Sequence, residues 1–142
     1  MGSVRLQKGD VAEGERLLKR ALQLDPKNTM VRVYLAQNHL ARKDYKEAER
    51  LYLEAIALEP MSAMLKTGLG LTLQLKGDLR AAERLLREAV DLDPQVGFFR
   101  INHAHVLLLM RDRDEAMREA RKAIELGYTQ KHPVFDALGL KP

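Results

Sequence analysis

Cysteine is absent from this chain, so disulfides and thiolate metal sites are excluded, although the absence fits a reducing and an oxidising compartment alike. Tryptophan is absent as well, and aromatic residues make up only 5 % of the sequence. That is poor material for a nucleic-acid surface, which would combine a basic stripe with interleaved aromatics. Neither sign of charge dominates: 24 Lys and Arg are interleaved with 20 Asp and Glu, leaving +4, and nucleic-acid binding is the least favoured class. No apolar run approaches the roughly 18 residues that a bilayer span needs, and the N-terminus carries no signal-type hydrophobic segment. The chain reads as soluble, in the cytoplasm or the periplasm. Strand formers are scarce too, whereas Leu, Ala, Glu, Lys and Arg dominate, a balance that favours helices throughout.

What is present is a repeat. Leu24-Asp25-Pro26, Leu58-Glu59-Pro60 and Leu92-Asp93-Pro94 recur at a step of 34 residues, and one further step reaches Leu126-Gly127-Tyr128. Other positions keep the same register. Ala21, Ala55, Ala89 and Ala123 are identical, and Gly14, Ala48, Ala82 and Ala116 are all small, which lets helices approach closely. Asp10, Asp44, Asp78 and Asp112 recur in step, with Glu13, Glu47 and Glu115 three residues on, as in a capping box opening a helix. Ahead of these Asp residues lie amphipathic runs marked by Leu35, Ala36 and His39, then Leu69, Gly70 and Leu73, then His103, Ala104 and Leu107, a spacing that describes one helical face. Gly9 and Gly77 suit a left-handed turn before the Asp, while Lys43 and Arg111 must take that place at some conformational cost.

Helix, Gly-Asp turn, helix and Pro at 34 residues resembles the tetratricopeptide repeat, over nearly the whole chain. The resemblance implies an all-α fold: an α-solenoid of antiparallel helix hairpins with a 34-residue period, wound as a right-handed superhelix whose concave side is lined by each first helix. The chain departs from the family pattern at two places. Arg32, Lys66 and Arg100 stand where a large aromatic opens the first helix, and the aromatic inside the second helix survives only as Tyr52, against Leu18, Leu86 and Ala120. Loosened contacts are expected, most of all around Ala120.

The expected organisation is a single array over 1–142: a partial unit 1–26, units 29–60, 63–94 and 97–128, and a closing segment 131–142. Helices are expected near 2–8, 11–24, 29–42, 45–58, 63–76, 79–92, 97–110, 113–126 and 132–138. The first unit has about half a first helix, which points to an excised segment of a larger protein and to a possible homodimer contact at the incomplete unit. Pro133 sits where a short closing helix would begin.

For function, the resemblance implies a groove on the outward face of the first helices. That face selects Met30, Tyr34 and Gln37; then Met64, Thr67, Gly68, Leu71 and Gln74; then Phe98, Ile101, Asn102 and His105. An apolar groove with scattered amides suits an extended peptide or an amphipathic helix, and its Met residues can repack around different partners. Ile101 and Leu71 read equally well as hairpin packing, and Gly68, costly in mid-helix, as either room for a partner side chain or close helix contact. The places of a carboxylate clamp hold Val33, Tyr34, Thr67 and Gly68, with Asn102 the one amide, which disfavours that mode. Arg16, Arg50, Arg84 and Arg118 recur in step, and the Glu three residues before most of them favours ordinary surface pairing over a phosphate ladder. His103 and His105 leave the helix about 200° apart and cannot share a metal, and His39, at a place that faces the partner helix, is expected to be a core or half-buried histidine. Gly68-Leu69-Gly70 follows no strand, so a dinucleotide turn is disfavoured. No cofactor is implied, and no nucleophile, base and orienting acid can be assembled. The expected role is a protein-interaction scaffold rather than an enzyme; the alternatives are the non-catalytic targeting arm of a larger enzyme such as a glycosyltransferase, or a self-associating structural module.

Overall fold

The structure, a computed structural model, describes the backbone of residues 2–142 and the side chains of residues 11–142. It forms two compact units, Met1–Pro60 and Met61–Pro142. The first holds α1 (Gly2–Leu24), α2 (Thr29–Ala41) and α3 (Tyr45–Leu58). The second holds α4 (Ala63–Lys76), α5 (Leu79–Leu92), α6 (Gly97–Leu109), α7 (Arg113–Glu125) and the short α8 (Pro133–Leu138). From α2 onward each boundary lies within one residue of its expected position.

The turns explain that agreement. After α2, α4 and α6 the chain passes through one left-handed residue, Lys43 (φ 62°), Gly77 (φ 98°) or Arg111 (φ 67°), so two non-glycine residues do carry the anticipated strain. The following Asp then acts on both helices. Its N–H closes the helix behind: Asp44 donates to His39 O, Asp78 to Leu73 O and Asp112 to Leu107 O, each at 2.8–2.9 Å. Its carboxylate opens the helix ahead, accepting from the N–H of Glu47, Ala81 or Glu115. The reciprocal half of a capping box therefore does not form. With the Asp N–H already engaged, Glu47 and Glu115 turn to Arg50 and Arg118 instead.

At the Pro-side turns Asn28 and Ser62 cap α2 and α4 through their side chains, whereas Val96, in the same place before α6, provides no side-chain cap. The break expected at Gly9-Asp10 is absent, because α1 runs unbroken from Gly2 to Leu24. The segment before Gly9 offers only Val4 and Leu6 as aliphatic side chains, too little apolar area to repay a folded-back turn. The side chain of Asp10, expected to cap, lies outside the described residues.

In the first unit α2 packs against both α3 and α1. Glu15 of α1 ties that contact, with a 2.7 Å bond to Arg42 and 3.6 Å to His39. Arg42, and with it Lys19, holds the Glu15 carboxyl down at about 2 against the opposing effect of burial. Of the core and half-buried states open to His39, the half-buried one is found. In the second unit the hairpins α4–α5 and α6–α7 are antiparallel pairs stacked through α5 and α6. This unit's alanines at the repeat step, Ala82, Ala89, Ala116 and Ala123, are closed off from solvent. Gly70 marks a close approach of α4 to α5, since a Cβ there would stand 2.9 Å from Leu86 Cγ.

The looseness expected at Ala120 does not occur. Val134, Phe135 and Leu138 of α8 fill the space above Ala120, joining Ile101, Ala104 and Leu107 in one buried cluster. The structure thus replaces an in-helix aromatic with one supplied by the closing helix.

A candidate binding face on the first helices

Helices α2, α4 and α6 carry the twelve residues of the expected groove, and the structure divides them by exposure. Met30, Tyr34 and Gln37 of α2 are exposed. On α4, Met64 is exposed, Gly68, Leu71 and Gln74 are half-buried, and Thr67 is buried with its hydroxyl donating to Ala63 O at 2.8 Å. On α6, Phe98 is exposed and His105 half-buried. Ile101 is wholly enclosed in the α6–α7–α8 core. Asn102 is also buried, and one N–H of its amide donates to Phe98 O at 2.8 Å.

One position is the same in each helix. Met30, Met64 and Phe98, each the second residue of its helix, are 53 %, 59 % and 37 % exposed. A large apolar side chain kept in water at one place in every hairpin is a costly arrangement unless something covers it. Met side chains and a Phe ring there offer adaptable contact area with few hydrogen-bond demands.

The basic residues that replace the family's aromatic have a defined task. Arg32 reaches Glu54 at 3.2 Å, Lys66 reaches Glu88 at 3.1 Å and Arg100 reaches Glu119 at 3.1 Å, each bridging first to second helix of its hairpin. Arg32 and Arg100 also donate to the carbonyls of Pro26 and Pro94 in the preceding turn. A charged latch therefore stands where the family pattern has an aromatic and looser contacts were expected. Three of the four recurring surface arginines form ordinary pairs: Arg16 with Glu13 at 3.1 Å, Arg50 with Glu47 at 2.9 Å, and Arg118 with Glu115.

The two histidines of α6 diverge. His103 is buried, its Nε2 bonded to Glu83 of α5 at 2.8 Å and its Nδ1 standing 3.5 Å from Glu119 of α7, too long for a good hydrogen bond. Burial disfavours its charge, yet Glu119 and Glu83 together outweigh that and raise the imidazole above its usual range. Burial likewise pushes Glu119 up, and His103 and Arg100 more than offset it, so its carboxyl is held low. His105 points elsewhere. Its Nδ1 meets Gln74 Nε2 at 3.4 Å and its ring meets His132 edge-on at 5.2 Å. Burial lowers the pKa of both His105 and His132, and in His132 the neighbouring His105 lowers it further. Among the described residues no three His, Asp or Glu side chains are grouped to hold a metal ion, and no helix is long and apolar enough to cross a membrane.

Comparison with known proteins gives a consistent set. Two family models, each described as tetratricopeptide repeat, match residues 5–69 and 62–92. No curated protein matches the sequence significantly. Among solved structures, MamA MSR-1 is 26 % identical, with a TM-score of 0.68 over 85 % of this chain and 70 % of that one. MamA RS-1, as a double mutant, is 25 % identical, with a TM-score of 0.73 over 89 % and 71 %. A MamA fragment from Desulfovibrio magneticus RS-1, at 24 % identity and a TM-score of 0.75 over 93 % and 75 %, shares the fold.

Proposed function

The chain belongs to the tetratricopeptide-repeat family, and from that premise we propose that it is a protein-interaction scaffold that grips a peptide or helix of a partner along its first helices. The observation that carries this reading is the repeated exposed apolar position at Met30, Met64 and Phe98. Tyr34, Gln37, Gly68, Leu71, Gln74 and His105 complete the proposed surface. Thr67, Ile101 and Asn102, being buried, act as its supporting wall.

The finer architecture belongs to the same proposal: one array over 1–142, in 34-residue units wound into a right-handed superhelix with these helices on the concave side. Its support is the register of the helix starts. Thr29, Ala63 and Gly97, and likewise Tyr45, Leu79 and Arg113, keep the spacing of the Pro marks. Anchoring would come from apolar side chains of the partner, since the face offers no cluster of cations for a carboxylate.

Selection of peptides from a random library against the intact chain tests the reading. Met64→Glu with Phe98→Glu should weaken a selected peptide at least about tenfold, the order expected when buried anchors become charged. Leu53→Glu, an exposed apolar residue on a second helix, should leave affinity unchanged. Equal sensitivity at both places, or at neither, would sink the groove. A competing reading, self-association through α1, draws on the exposed Val11 and Leu17. Sedimentation equilibrium of wild type and Leu17→Glu separates the two, because a groove scaffold keeps its mass in both.

A further inference from the structure

We propose that α8 is an acid-released lid: protonation of the facing pair His105 and His132 detaches it from α6 and α7 and uncovers the apolar seam beneath, while the hairpins stay folded.

The argument starts from the bond that begins α8. His132 is its N-cap residue, and Nδ1 accepts from Val134 N at 3.2 Å. Pro133 has no N–H, so this is the first donor of the helix that a cap can satisfy. An accepting Nδ1 must be bare, which fixes the neutral imidazole with its proton on Nε2. A second proton has one place to go, Nδ1 itself, and there it abolishes the cap.

The surroundings oppose that proton. Edge-on at 5.2 Å stands His105 of α6, so two imidazolium charges would face one another across a half-buried contact. From α4 only the neutral Gln74 meets His105, at 3.4 Å, and rotation of its amide could accommodate a protonated His105. Nothing comparable can rescue the cap of α8. The charged side chains that line the open cavity beside His132 are Lys131, Asp136 and Lys141. From α7, Arg113 donates to Ala137 O at the far end of α8, a bond that does not depend on histidine. Burial lowers the pKa of both rings, so the docked state binds fewer protons than the released one and docking weakens as pH falls below about 6.5.

Release would have a local effect. Val134, Phe135 and Leu138 are the part of the cluster that α8 supplies, and lifting them bares Ile101, Ala104 and Ala120. The α5–α6–α7 core responds in the other direction, because His103 between Glu83 and Glu119 gains from protonation. Acid therefore loosens the lid and tightens what lies under it.

Hydrogen exchange of the full chain at pH 7.5 and 5.0, corrected for the intrinsic pH dependence of exchange, tests the proposal. Protection of residues 134–138 should fall roughly fivefold or more at pH 5.0, the order of effect of losing a helix cap, while α5–α7 keep theirs. His132→Asn supplies a strong cap that does not titrate here, and should abolish the fall. Histidine side-chain NMR on the wild type provides the second measurement, in which His132 should titrate together with the loss of α8 protection. Unchanged protection at pH 5.0, the same fall in His132→Asn, a parallel loss in α5–α7, or titration of His132 without change in α8 would each overturn it. No partner enters the experiment, so its outcome is independent of the proposed groove.

Discussion

His103 and His105 stand two residues apart on α6, yet one helix gives them opposite chemistry. The face bearing His103 meets Glu83 and Glu119 and favours the imidazolium. The face bearing His105 meets Gln74 and His132 and favours the neutral ring. Both are buried enough for desolvation to oppose charge, so the difference comes from what the neighbouring helices present. For a residue near the middle of a packed helix, sequence neighbours say little and the facing elements say nearly everything. The stability consequences are opposed as well. His103, raised above its unfolded value near 6.5, contributes fully below that pH, and its contribution is lost as pH rises through the folded value. For His105 and His132, lowered in the fold, the loss comes as pH falls from about 6.5 through their folded values.

The largest expected effect lies on the His105 side. Phe135→Ala empties the space above Ala120 and should cost about 3–5 kcal/mol of α8 docking and second-unit stability, measured by urea denaturation. A loss below about 1 kcal/mol would mean that α8 does not complete this core. Next comes His103→Leu, which restores the residue type found at Leu35 and Leu69 but leaves Glu83 and Glu119 without their shared cation. Arg87 at 3.5 Å and Arg100 at 3.1 Å remain, so the cost at pH 6 should be about 2 kcal/mol rather than the full penalty of an unpaired buried charge. Its stability should also stop declining as pH rises above 6.5; a profile parallel to wild type would remove the charged His103 from the account. Smallest is Val96→Ser, which gives α6 the side-chain cap that α4 has in Ser62. A gain of about 1 kcal/mol, equal at pH 5 and 7.5, is expected. A pH-dependent gain would mean that the two faces of α6 do not titrate independently of its first turn.

Helix placement was legible because punctuation and periodicity agreed. Asp44, Asp78 and Asp112 open helices, Lys43, Gly77 and Arg111 turn the chain, and the Pro marks end each unit. Where only punctuation was present, at Gly9-Asp10, the expectation failed. The candidate face was legible only as positions on helices. Periodicity identified Met30, Met64 and Phe98 as one recurring site, but it did not separate them from Ile101 and Asn102, whose burial depends on α7, α8 and their own helix. The latches were visible in principle: Glu54 and Glu88 each follow Arg32 and Lys66 by the same interval, while Lys122 at that interval from Arg100 sends the arginine one turn back to Glu119. Pairing of His103 needed three elements at once, and no local pattern carries that information.

The double duty of Asp44, Asp78 and Asp112 has a bearing on how this chain can change over time. Since one amide and one carboxylate of the same residue terminate one helix and begin the next, the joint has no spare residue, and an insertion there would detach two helix ends together. The Pro-side connections contain no such shared residue. Growth, trimming and the grafting of new segments are therefore confined to one end of every hairpin, and descendants of this sequence can elaborate that edge while the other keeps its length.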